Sequence, residues 1–228
     1  MTLSNRKILR TLLCLLAGTL YAVCLSACDA KEPLSENRDA EIESPVIAND
    51  LSNQKVTAIA EDTQGHIWIG TFRGLNKNNV HDYHQYFCTD DSLGLPDNQI
   101  THLLRDSKNR FWVGTVNGVC LYTDKDNFRI IPIEADNKNV RQILEDRNGR
   151  IFLNTGFQLY AYHPREEKIT CVLPEISPGN AFYAQCHIAP DNNLWVMTST
   201  GLRCYDPSTL QLKESVALNG YPYYSYLH

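Results

Sequence analysis

The sequence predicts an all-β fold: a partial β-propeller of about four four-stranded antiparallel blades, preceded by a signal peptide and a flexible tether. Three observations predict it. One motif recurs four times, with its central aromatic at Trp68, Trp112, Phe152 and Trp195, steps of 44, 40 and 43 residues. Each copy opens on an alternating β-branched run and then carries Asp-x-x-Gly or a worn form of it, the chemistry of a tight turn. Aromatic residues reach 10% of the 228, with 12 tyrosines and 3 tryptophans, a composition that favours strands.

The elements follow in chain order. Arg6, Lys7 and Arg10 form a positive start, and the next 17 residues to Ala27 carry no charge. That run is shorter than the ~20 residues of a membrane span and reads as the apolar core of a signal peptide over 1–27. It ends Leu25-Ser26-Ala27-Cys28, which resembles a bacterial lipobox. Lipidation of Cys28 and an exported, lipid-anchored chain on the periplasmic side of a bacterial membrane are the expectations. Residues 28–47 are polar and aperiodic and read as a flexible tether. The propeller is expected over 48–228, with blade motifs near 56–75, 100–119, 140–159 and 185–202.

Within the first copy, Val56–Ala60 alternates as a strand, Asp62 and Gly65 make the turn, and His66–Thr71 forms the second strand. Further strands are expected near 80–87 and 128–133. Asp62, Gly65, Trp68, Gly70 and Thr71 return as Asp106, Trp112, Gly114 and Thr115. They return again as Asp146, Gly149, Phe152 and Thr155, and in the worn fourth copy as Trp195 and Thr198. A residue needed in every blade serves architecture: the Asp makes the turn and the aromatic packs between sheets. Four short antiparallel strands in ~42 residues is a propeller blade.

The pattern I-x-x-I-x-x-D-x-x-G-x-I-W-I-G-T-x-x-G-L, with the lead-in Leu93-Gly94-Leu95-Pro96-Asp97-Asn98-Gln99-Ile100, resembles the two-component-regulator propeller repeat. The likeness covers about 49–202 and is sharpest in the first two copies. It implies the periplasmic sensor part of a membrane-spanning histidine kinase, built from seven-bladed propellers. Many such proteins are hybrid regulators of Bacteroidetes that respond to glycan breakdown products. The lipobox departs from the ordinary signal peptide or membrane segment of many such sensors. Seven blades need roughly 290 residues at this repeat length. Tyr223–Leu227 aligns with the next blade's first strand, so the chain is expected to stop inside a fifth blade, as a truncated product or fragment. Its partner would then be the remainder of a sensor kinase or a second propeller.

Composition and motifs bear on the alternatives. The net charge is −5, and the leader holds three of the 21 basic residues and none of the 26 acidic ones, leaving −8 without it. That balance argues against nucleic acid. The cysteines at 14, 24, 28, 88, 120, 171, 186 and 204 include no C-x-x-C pair, which argues against zinc, and no cofactor is implied. Cys120 and Cys204 lie in apolar runs and read as small buried residues. His81 and His84, three apart on a strand, would point to opposite faces and chelate poorly. A sialidase-type Asp-box has one residue fewer between Asp and Gly than Asp62-x-x-Gly65. The N-x-I-G-R ending of streptogramin-lyase repeats is absent. No once-only catalytic set stands out, so the chain reads as non-catalytic, with a propeller lyase or glycoside hydrolase and a lipoprotein interaction scaffold as the alternatives.

Function is then expected in what differs between blades. The inter-blade segments and the turns after the Gly-Thr pairs open on one end, with Asn53, Gln54, Arg73, Asn98, Gln99, Asn117, Asn139, Gln158 and Arg203 among them. Amide and guanidinium groups there suit hydrogen bonds to an oligosaccharide or to an anionic group.

Overall fold

The computed structural model describes residues 46–89, 94–123, 125–176, 184–198 and 200–217. The signal peptide, Cys28 and the segment 223–227 lie outside the described residues. Seventeen strands and no helix occur among those that are described.

The strands form four antiparallel sheets built from consecutive hairpins, the first with one added edge strand. Blade one contains β1 (Val46–Ala48), β2 (Val56–Glu61), β3 (Ile67–Thr71), β4 (Gly74–Asn78) and β5 (Tyr83–Tyr86), in the spatial order β1-β5-β4-β3-β2. Blade two is β6 (Ile100–Arg105), β7 (Phe111–Thr115), β8 (Gly118–Tyr122) and β9 (Phe128–Ile131). Blade three is β10 (Gln142–Glu145), β11 (Ile151–Asn154), β12 (Leu159–His163) and β13 (Lys168–Leu173). Blade four is β14 (Gln185–Ile188), β15 (Leu194–Thr198), β16 (Gly201–Tyr205) and β17 (Leu212–Ala217). The first strands β2, β6, β10 and β14 are successive neighbours in space, the arrangement of inner strands in a propeller.

Three apolar layers join the four sheets. Trp68, Leu75 and Tyr86 of blade one meet Ile100, Leu103, Phe111 and Val113 of blade two. Trp112 and Leu121 meet Ile143, Ile151 and Leu153. Phe152 and Leu159 meet Cys186, Leu194 and Val196. The period of two along each strand explains the layering: Trp112 faces forward, while Phe111 and Val113 face back. Trp68 and Trp112 are fully buried.

Gly70 and Gly114 set the approach of the next blade. A Cβ on Gly70 would lie 2.5 Å from Ile100 Cγ2, and one on Gly114 would lie 3.1 Å from Val140 Cγ1. In each case the missing side chain makes room for the following blade.

Four details differ from expectation. The tether was expected to reach residue 47, but Val46 and Ile47 lie in β1, which pairs with β5 and makes blade one five-stranded. Three residues are too short a run to show a period. Val80 adopts φ 63 in a turn, so the strand expected from 80 begins at Tyr83. The strand expected over 128–133 stops at Ile131. Trp195 is only half-buried, since its face of β15 points away from the layer shared with blade three.

Candidate functional site

Hairpin geometry sorts the loops onto two ends. The Asp turns and the turns between third and fourth strands share one end. The turns after Thr71, Thr115, Thr155 and Thr198, with the inter-blade links, share the other.

At the Asp-turn end the repeated carboxylate does several jobs. Asp62 Oδ1 accepts the backbone N–H groups of Gln64 (2.8 Å) and His66 (3.0 Å), and Oδ2 accepts the Trp68 indole N–H at 2.9 Å. Asp106 repeats this with Lys108, Arg110 and Trp112, and adds Arg110 Nε at 2.6 Å. Asp146 has Phe152 where the indole would be, and Arg150 Nε supplies the bond to Oδ2 at 2.8 Å. Burial works to raise the Asp62 carboxyl, but the bonds from Trp68, His66 and Gln64 outweigh it and hold the group below its ordinary value.

At the Thr-turn end, Thr71 Oγ1 donates to the Gly74 carbonyl at 2.8 Å and accepts the Arg73 N–H at 3.1 Å, and Thr115 repeats both bonds. The inter-blade links bond to these turns. Phe72 N–H donates to the Lys55 carbonyl at 3.0 Å, Gly74 N–H to Asn98 at 2.7 Å and Val116 N–H to Gln99 at 3.2 Å. Asn53, Gln54, Arg73, Asn98, Gln99, Asn117, Asn139 and Gln158 therefore share this end.

Several of these side chains have local work. Asn53 Oδ1 accepts the Lys55 N–H (2.9 Å), Asn98 Oδ1 the Cys88 N–H (2.7 Å) and Gln158 Oε1 the Tyr160 hydroxyl (2.7 Å). Asn139 Oδ1 is buried without a hydrogen-bond partner. Arg73 and Asn117 stand exposed at turn tips. Arg203 corrects the grouping: it lies inside β16 opposite Val196, not in the turn, because that turn closes at Gly201.

A pocket of about 430 Å³ opens at the Asp-turn end, between blades one and two. Asp62 and Lys77 line it from blade one. Arg105, Phe111, Tyr122, Lys125 and Asp126 line it from blade two. Phe111 and Tyr122 give it aromatic walls, and the buried Trp68 packs against both, 5.0 Å from Phe111 and 4.7 Å from Tyr122, with Tyr86 5.4 Å away, centroid to centroid. Lys77 Nζ lies 5.3 Å from the Trp68 ring centre and 5.5 Å from that of Tyr122, within cation–π range. Arg105 Nη1 donates to the Asp62 carbonyl at 2.9 Å and so ties the two blades.

Asp126 sits at φ 61 after Lys125 at φ 74, so the turn presents both residues in the left-handed region. Asp126 Oδ1 accepts the hydroxyls of Tyr86 (2.6 Å) and Tyr122 (2.9 Å), from two different blades. Burial works to raise the Asp126 carboxyl, but the two hydroxyls, Lys77 and His84 hold it below its ordinary value. Burial and the Asp126 charge push both tyrosines upward. The carboxylates are engaged as acceptors, while the site presents lysine and arginine donors over aromatic rings. Among the described residues, no group of three or more His, Cys, Asp or Glu could hold a metal ion, and the cysteines at 120, 171, 186 and 204 are free.

Sequence reasoning placed the repeated residues and missed these. Lys77, Arg105, Tyr122, Lys125 and Asp126 belong to no motif. Lys77 and Arg105 signal themselves by departing from the repeat at matched positions, whereas Tyr122 holds the place of Tyr205 in blade four and carries no such signal.

The sequence profile of the two-component regulator propeller matches residues 50–73 and 94–117, each a lead-in with its Asp turn and Trp strand. The chain carries two copies of the two-component regulator propeller repeat. Among solved structures it resembles the extracellular domain of a hybrid two-component system from B. thetaiotaomicron, at 24% identity and TM-score 0.58. That match covers 70% of this chain and 22% of the other, so the chain spans under a quarter of that relative. Virginiamycin B lyase from Staphylococcus aureus is similar at 18% identity and TM-score 0.57, covering 76% and 59%. An auxiliary nutrient binding protein from Bacteroides thetaiotaomicron is similar at 10% identity and TM-score 0.53, covering 73% and 42%. At these identities the likeness shows the propeller fold. No curated protein sequence matches the chain.

Proposed function

We propose that this chain is an extracytoplasmic, ligand-binding propeller segment of a two-component sensor, itself without catalytic activity. The observation that carries the reading is the regulator-propeller repeat at 50–73 and 94–117. Such repeats place a rigid rim with variable loops outside the membrane, where a signal is met. The ligand is a glycan-derived oligosaccharide, and the partner is the remainder of a sensor kinase or a second propeller. Nucleic acid is no partner, on the acidic charge balance. Export follows cleavage after Ala27, with Cys28 as the lipid-bearing N-terminus that anchors the chain to a membrane.

Calorimetric titration of the chain with a panel of oligosaccharides is the direct test. Saturable binding without turnover supports the reading; consumption of any glycan or lactone moves the chain to the lyase or hydrolase class. Metabolic labelling with a palmitate analogue tests the anchor. Wild type should label and Cys28→Ser should not, and equal labelling would reject lipidation.

A further inference from the structure

The blades share one pattern, so a residue that breaks it at a matched position marks a local demand. Opposite each central aromatic, on the third strand, stands one residue. Leu121 faces Trp112, Ala161 faces Phe152 and Cys204 faces Trp195, whereas Lys77 faces Trp68. Apolar or small residues suit a layer between sheets, and a lysine does not, unless its ammonium has work at the edge of that layer.

The residue before the turn Asp breaks the pattern in the same place. Blades one and three carry Glu61 and Glu145, blade four carries Ile188, and blade two reverses the charge with Arg105. Tyr86 is a third departure, since Ile131 and Leu173 hold its position in blades two and three. Lys77 and Arg105 line the pocket between blades one and two, and Tyr86 bonds its lining residue Asp126.

The lining has an uneven charge. Asp62 is engaged by backbone, indole and imidazole donors, and Asp126 by two tyrosine hydroxyls. Arg105 spends Nη1 on a carbonyl and keeps further N–H groups, and Lys77 and Lys125 add ammonium donors. Three cations against two engaged carboxylates leave one positive charge in excess. Phe111 and Tyr122 supply apolar faces beside them. The volume lies in the ~300–1,000 Å³ range of small-molecule sites.

We infer that this pocket binds a small hydroxylated carboxylate, a uronate-type sugar acid, with its carboxylate among Lys77, Arg105 and Lys125 and its ring against Phe111 and Tyr122. The inference rests on the ligand-binding role proposed above and names its chemistry.

Titration calorimetry of the full chain with D-glucuronate and D-glucose tests it. Lys77→Leu and Arg105→Glu install residues that other blades carry at those positions, so the fold should tolerate them. Glucuronate should bind at least about tenfold more tightly than glucose, and each variant should weaken glucuronate by about tenfold or more, the size of one charge-assisted hydrogen bond. Added salt should weaken binding too. Thermal melts accompany each variant, and Lys77→Met and Arg105→Gln replace any that melts early. Glucose binding as tightly as glucuronate, well-folded variants that bind glucuronate unchanged, or no saturable binding of glucuronate would each overturn the proposal. Failure on glucuronate alone, with a neutral oligosaccharide still bound, removes this pocket and leaves the sensing role standing.

Discussion

The repeated carboxylate is more than a turn residue. Asp106 ties its own turn, the buried Trp112 indole and Arg110 together. Asp106→Ala would strand the indole N–H and the guanidinium at once, so its cost should be about 3 kcal/mol, above the ~1 kcal/mol of one turn bond. Trp112→Ala should cost about 3–5 kcal/mol for the lost aromatic and its cavity. Denaturant melts check both; a cost for Asp106→Ala near that of a surface change would show that the indole bond contributes nothing. Asp146 lacks an indole partner, so Arg150→Ala should destabilise more than Arg110→Ala. The acid limb has the same origin. Asp62 and Asp126 titrate below the ordinary 3.8. The unfolded chain then takes up their protons first, and stability falls as pH drops through that region. His102 is lowered by burial from 6.5 and accepts the Ile143 N–H at 3.4 Å. Its contribution is complete above 6.5 and declines below it, so His102→Gln should flatten the stability loss as pH falls below 6.5.

At the scale of elements, the glycine after the Trp-x pair in blades one and two is a spacing device. Gly70→Ala drives a Cβ against the buried Ile100 and should cost about 1–3 kcal/mol, while Gly114→Ala, with a looser neighbour, should cost less. Equal melts for the two would show that the blades shift freely. The turn after each Asp was readable because its chemistry is local. Gly65 and Gly149 sit at φ 85 and 73, and Asn109 and Asn192 take the same left-handed place at φ 62 and 67. β1 was not readable, since Val46-Ile47-Ala48 is a strand only because β5 offers it an edge. The pocket was unreadable for a related reason. Tyr86 and Asp126 are 40 residues apart, and nothing in either motif says that one hydroxyl meets one carboxylate. Two blades must first pack for that contact to exist.

Across the described propeller, stability is a sum of blade and interface terms, because each sheet touches only its neighbours. Blade two has a layer on both faces, and its strand β7 is buried along its whole length. β17 is exposed at all six positions, and Trp195 on β15 is half-buried where Trp68 and Trp112 are sealed. Backbone amides open locally with free energies that follow such burial. Hydrogen exchange followed by mass spectrometry should therefore show β7 and β8 protected longest, β3 and β11 next, and β17 exchanging first. Trp112→Ala should speed exchange in blades two and three together, since its ring lies in the layer between them, 4.9 Å from Tyr162. It should leave blade four largely unchanged. Uniform acceleration through all four blades would mean that the repeats unfold as one cooperative unit, and would sink the additive picture.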